Sequence, residues 1–99
     1  MVKHIVLFKL RDELAPEKKL EVSINFKKAI ESLPAQIHFI RKVFVGINTN
    51  SNEKWDICLE SEFDSLDDIK TYSIHPAHIA AAQTIKDYKA DRACCDYEF

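Results

Sequence analysis

This 99-residue chain has few cysteines, almost no charge imbalance and no long apolar run, and each shortage closes a class of function. Its three cysteines are an odd number, with Cys94 and Cys95 adjacent and no CxxC spacing anywhere. That pattern supplies neither a disulfide framework nor a structural zinc site, and it reads as buried or half-buried thiols in a reducing compartment. The 14 basic and 16 acidic residues leave a formal net charge of −2, too little positive charge for a nucleic-acid footprint. No aromatic-studded basic stripe compensates. The apolar stretch near the N-terminus is interrupted by Lys3, His4 and Lys9, so it reads as neither a secretory leader nor a membrane span. The default location of such a chain is the cytosol.

What is present fits one compact domain over residues 1–99. A hydrophobic content of 46% gives a real but modest core, which sharing apolar surface with a second copy would strengthen. Val2 to Leu10, rich in β-branched and large apolar residues, predicts a first strand. Pro16 opens a helix to about Leu33, with Val22, Phe26, Ala29, Ile30 and Leu33 on one core-facing stripe. Leu20 and Ile24 lie roughly opposite. Pro34 stops the helix, a second strand runs from about Phe39 to Ile47, and Asn48 to Asn52 form a polar connection. Trp55 to Phe63 predicts a third strand with Trp55, Ile57, Leu59 and Phe63 on one face. A short helix around Leu66–Tyr72 precedes another from Pro76 to about Lys89. A fourth strand from about Arg92 to Glu98 closes the chain.

The order is β-α-β-β-α-β, the ferredoxin-like split unit of the α+β class, with a four-stranded antiparallel sheet and its helices on one face. In the first strand His4, Val6 and Phe8 point one way and Ile5 and Leu7 the other, so both faces are largely apolar. The face without helices needs a cover, and the expected cover is the same face of a second subunit. A homodimer with a two-sheet barrel and an internal cavity follows, with His4, Val6 and Phe8 on the barrel lining.

Chemistry concentrates in Tyr72-Ser73-Ile74-His75-Pro76-Ala77-His78, a phenol and two imidazoles in seven residues. Pro76 suits the first position of a helix, so His75 falls at the N-cap and His78 in the first turn. The partial positive charge of that turn opposes protonation of His78, and a neutral histidine can accept a proton. Ala82 and Ile85 share the stripe of His78 and argue for an inward position. A phenol with an ordinary pKa of about 10 can stabilise an oxyanion by hydrogen bonding.

Taken together, Val2-Lys3-His4-Ile5-Val6-Leu7-Phe8-Lys9, the Tyr72…His75-Pro76-Ala77-His78 segment and Asp96-Tyr97 resemble the stress-responsive A/B barrel (Dabb) family of dimeric α+β barrels, over essentially the whole chain. The resemblance implies a barrel dimer and, in one branch, closure of linear polyketide chains by aldol condensation. It assigns acid and base roles to Tyr72 and His78, support of the base to Asp96, and a pocket-lining role to His4. His4, Val6, Phe8, Phe26 and Leu59 are then the expected ligand wall. A stress-response role is implied by the family label alone. The scheme demands neither a cofactor nor a metal.

Plainer readings stand beside these. His75 reads as a structural cap, His4 as a core histidine, His38 as a surface residue, and Tyr72 and His78 as ties between the short helix and strand four. A His4/His75/His78 metal site lacks any supporting carboxylate spacing. Cys58 or Cys94 becomes a nucleophile only beside a histidine. Lys18-Lys19 and Asp67-Asp68 read as solvated helix faces. The first helix offers Val22, Ser23 and Phe26 where a polyketide pocket wants a row of large aromatics, which favours a different ligand or a filled barrel. A non-catalytic dimer is therefore the alternative function. A cofactor-light monooxygenase is weaker, because no Asn–Trp–His set can be assembled around Trp55.

Overall fold

The computed structural model describes residues 1–99. Strand β1 (Val2–Leu10) leads to helix α1 (Pro16–Glu31) and a 3-10 turn at Leu33–Ala35. Strands β2 (Lys42–Ile47) and β3 (Ile57–Phe63) follow, then helices α2 (Leu66–Ile74) and α3 (Pro76–Lys86) and strand β4 (Lys89–Glu98). The sheet is antiparallel throughout, in the order β2-β3-β1-β4. This is the expected ferredoxin-like α+β arrangement.

Alternation in β1 decides which face is the core. Val2, His4, Val6, Phe8 and Leu10 are buried, while Lys3, Ile5, Leu7 and Lys9 are half-exposed. The buried set packs with Phe26 and Ile30 of α1 and with Ala81 and Ile85 of α3. One placement is thereby corrected: His4, Val6 and Phe8 lie between sheet and helices within one protomer, not between two sheets. The period of two made both faces of β1 apolar, and the sequence alone did not say which one the helices cover. The open face carries Ile5 and Leu7 instead.

Element ends shift for local reasons. Helix α1 stops at Glu31, and the chain tightens into the 3-10 turn, because Pro34 has no N–H to give to the Ile30 carbonyl four residues back. Ile37 and Ile40 are buried outside any strand, so the apolar stretch near Phe39 is core-packed connection and β2 begins at Lys42. Asp56 precedes β3, where its carboxylate accepts from the backbone N–H of Leu10 at 2.7 Å. Helix α3 ends at Lys86 and β4 starts at Lys89, three residues early, paired with Leu10 across an irregularity that leaves Ala90 of β4 without a partner in β1.

Candidate functional site

Two local features assemble the site. The first is the register between β1 and β4, which sets His4 opposite Asp96, Val6 opposite Cys94 and Phe8 opposite Arg92. Residues directly opposite share a face, so Arg92, Cys94 and Asp96 all join the helix-covered side. The second is the break between α2 and α3. A continuous helix would bond the Ala77 N–H to the Ser73 carbonyl, four residues back. Pro76 forces His75 to an extended conformation and frees both groups. Two imidazoles take them up: His75 Nδ1 accepts from Ala77 N at 3.0 Å, and His78 Nδ1 lies 3.1 Å from the Ser73 oxygen. His75 therefore caps α3. A carbonyl only accepts, so His78 carries its proton on Nδ1 and keeps the Nε2 lone pair free.

A cavity of about 130 Å³ lies between sheet and helices. Its apolar wall is Val6, Phe8 and Leu59 from the sheet with Phe26, Ile30 and Ile85 from the helices, and its polar groups include His4, Ser73, His78, Lys89 and Arg92. The five residues expected as a ligand wall all border it. Sequence reading missed Ser73, Lys89 and Arg92. Extending the period of two back from Asp96 would have put Arg92 on the face of His4.

Tyr72 stands behind this wall, not in it. It is 1% exposed, its ring 4.3 Å from that of His78 and 5.1 Å from that of Phe63, centroid to centroid. Its hydroxyl is fully buried and has no hydrogen-bond partner. Burial pushes the Tyr72 phenol far above its ordinary range, so it stays protonated. Burial likewise moves His78 down from 6.5; the Ser73 carbonyl opposes this, while His4, Arg92 and His75 add to the lowering.

Asp96, expected behind His78, bonds His4 instead: the carboxylate oxygen is 2.5 Å from His4 Nδ1. The cross-strand register dictates this partner, whereas His78 is held by a backbone carbonyl. Cys94 does acquire a neighbouring histidine, with Sγ 3.7 Å from His4 Nδ1. That contact falls on the same nitrogen that Asp96 holds, so no Cys–His–Asp relay forms, in which the imidazole would need one nitrogen for each partner. Burial and the Asp96 charge also push the Cys94 thiol up, away from the thiolate. His4, Cys94 and Asp96 are the side chains whose donor atoms gather closely enough, within 4.8 Å, to approach a cation. His75 is instead spent on its cap.

Chemically, the arrangement offers a half-buried neutral base at His78, a second imidazole oriented by a carboxylate, and an apolar compartment. Two outcomes follow. Tyr72→Phe removes an unpartnered buried hydroxyl, whose burial costs about 1–3 kcal/mol, so urea denaturation of the variant should show equal or higher stability, not a loss. His78, with its folded pKa below the unfolded value, binds fewer protons when folded once the pH drops below about 6.5. Its contribution is fully present above that pH and is lost as pH falls towards the depressed value. Wild type should therefore lose more stability between pH 7 and pH 5 than His78→Gln, measured by parallel denaturation series.

With the geometry in hand, the likeness to known proteins is broad. The sequence model of the Stress Responsive A/B Barrel Domain family matches residues 2–99. Olivetolic acid cyclase of Cannabis sativa is 26% identical over 99 residues, covering 97% of this chain and 94% of that protein. An uncharacterized protein of Streptomyces coelicolor is 31% identical, with all of both chains covered. Among solved structures, a dimeric ferredoxin-like protein of unknown function from Bacteroides fragilis superposes with a TM-score of 0.97 at 58% identity, covering 99% of this chain and 95% of that one. No helix here is long and apolar enough to cross a membrane. The chain belongs to the stress responsive A/B barrel domain family.

Proposed function

We propose that the cavity binds a small apolar ligand bearing a carbonyl or hydroxyl oxygen, and that, where the oxygen is a carbonyl, His78 removes a proton from the carbon beside it, leaving an enolate. The observation that carries this reading is the Nδ1 contact of His78 with the Ser73 carbonyl, which leaves Nε2 as a base on a ring that borders the cavity. The lowered pKa keeps that base unprotonated at neutral pH, where general-base catalysis needs it. His4, whose Nδ1–H donates to the Asp96 carboxylate, presents an Nε2 lone pair that can accept from a hydroxyl of the ligand. Tyr72 reaches the ligand only if its ring turns past His78, and its role is otherwise to back that imidazole. Olivetolic acid cyclase supports the class of reaction, because an aldol ring closure starts with loss of a proton beside a carbonyl.

Cavity size limits the ligand. An apolar protein cavity of about 150 Å³ accommodates benzene, so a single six-membered ring is the upper limit for the somewhat smaller space here. Cyclohexanone in D2O is thus a suitable probe, its α-protons followed by NMR. The protein should accelerate exchange, with the rate rising through the depressed His78 pKa. His78→Gln should return exchange to the buffer rate while cyclohexanone still binds. Equal exchange by the variant would sink the base assignment and leave the non-catalytic reading.

The same reading includes a homodimer through the open sheet face. Ile5 and Leu7 lie there beside Cys95 and Ala93 of β4, while the exposed ring of Phe44 adds to the apolar surface. The dimeric description of the Bacteroides fragilis protein supports it. Leu7→Lys puts a charge at the centre of that face, and light scattering should find a monomer where wild type gives a dimer.

A further inference from the structure

Ionic complementarity in the cavity goes beyond an apolar, oxygen-bearing ligand. None of the twelve residues that border it is acidic, yet Lys89 and Arg92 both do. They come from the start of β4, where Arg92 is set opposite Phe8 and Lys89 opposite Leu10, so both project to the helix-covered side. Neither takes part in any of the seven ion pairs of the chain. The other two arginines do: Arg11 pairs with Glu13, and Arg41 makes two contacts with Asp64. Local carboxylates are unsuited to neutralise the two cations. Asp91 is set opposite Lys9, on the open side, and Asp96 is engaged by His4. Two exposed cations outside any ion pair, bordering an apolar compartment whose lining lacks acidic groups, suit a ligand that is apolar at one end and anionic at the other.

We propose that Lys89 and Arg92 form the anion-binding end of this cavity, and that its ligand is a small monocarboxylic acid. The carboxylate meets the Arg92 guanidinium and the Lys89 ammonium, while the ring or branched tail lies on Val6, Phe8, Phe26 and Leu59. The guanidinium fork suits a planar carboxylate with two parallel N–H···O bonds, and Lys89 adds a point charge. Lys89 is placed for this, its Nζ being 6.0 Å from the Phe8 ring centroid. His78 and His4 border the same cavity. The inference rests on the reading of this cavity as a ligand site and adds the charge that the ligand must carry.

Benzoate and benzamide separate the two ideas, since they share a shape and differ in charge. Calorimetric titration at pH 7 should find benzoate binding about ten-fold tighter than benzamide, the margin of a charge-assisted over a neutral hydrogen bond. Arg92→Gln should erase that margin while benzamide binding persists, and Arg92→Lys should restore part of it. Raising the salt concentration should weaken benzoate alone. Benzamide binding as tightly as benzoate, or a margin unchanged in a Lys89→Gln/Arg92→Gln double variant, would overturn the anion assignment and spare the cavity. Binding of neither compound would overturn both.

Discussion

The register between β1 and its neighbours is the constraint from which the site derives. Side chains alternate with a period of two, so a slip of one residue would send His4 to the open face and Ile5 to the core. Four apolar residues of β1 are buried on the helix side, Val2, Val6, Phe8 and Leu10, each stabilising by about 1.5–3 kcal/mol. The cross-strand ion pair of Lys3 with Glu62, partly exposed, contributes about 0–1 kcal/mol. Burial therefore sets the register, and electrostatics follows it. Once Val6 and Phe8 are seated, Asp96 has no choice but to face His4, and Arg92 must stand over Phe8.

The second half of the site comes from a broken helix. Without Pro76, residues 66–86 could run as one helix and the Ser73 carbonyl would be consumed by the ladder. The proline exchanges one backbone hydrogen bond for two between imidazole and backbone, and these impose opposite tautomers on neighbouring histidines. His75 must present a lone pair at Nδ1 to the Ala77 N–H, while His78 must present a proton there to a carbonyl. A single residue type thus caps a helix at His75 and keeps a free Nε2 lone pair at His78, within one turn. The functional difference between the two is set by which orphaned group each one meets.

Much of this was legible before any coordinates. Strand and helix types, the α+β topology, the Pro76 helix start and the capping position of His75 follow from spacing and from the geometry of proline. The inward stripe of His78 with Ala82 and Ile85 follows from helical period, and all three border the cavity. The apolar faces of β1 were less legible, because two apolar faces look alike until the helices choose one. The partner of Asp96 was hidden for another reason. Contacts between residues 92 positions apart depend on register, and register depends on turn geometry and a strand irregularity near Lys9 that no local pattern announces. Tyr72 shows the same limit: no local pattern announces that its ring packs on His78 outside the cavity lining.

Polar groups on the apolar wall carry the functional argument further than any single distance does. A core built for stability alone gains nothing from a buried imidazole on β1 or from a fully buried phenol hydroxyl without a partner. Leaving such a hydroxyl unpaired costs about 1–3 kcal/mol, a substantial fraction of the 5–15 kcal/mol by which a domain of this kind is stable. His4 avoids that penalty only because Asp96 crosses the sheet to meet it. The rings of Phe8 and Phe26, 5.3 Å apart in an edge-to-face pair, meanwhile keep the compartment narrow. Stability is thus conceded behind the wall, at a hydroxyl that His78 screens from the cavity, while packing is kept tight along the apolar part of the wall. Burial orders the apolar part of the wall, and its polar part is held by two contacts that burial alone does not supply, His4 with Asp96 and His78 with the Ser73 carbonyl.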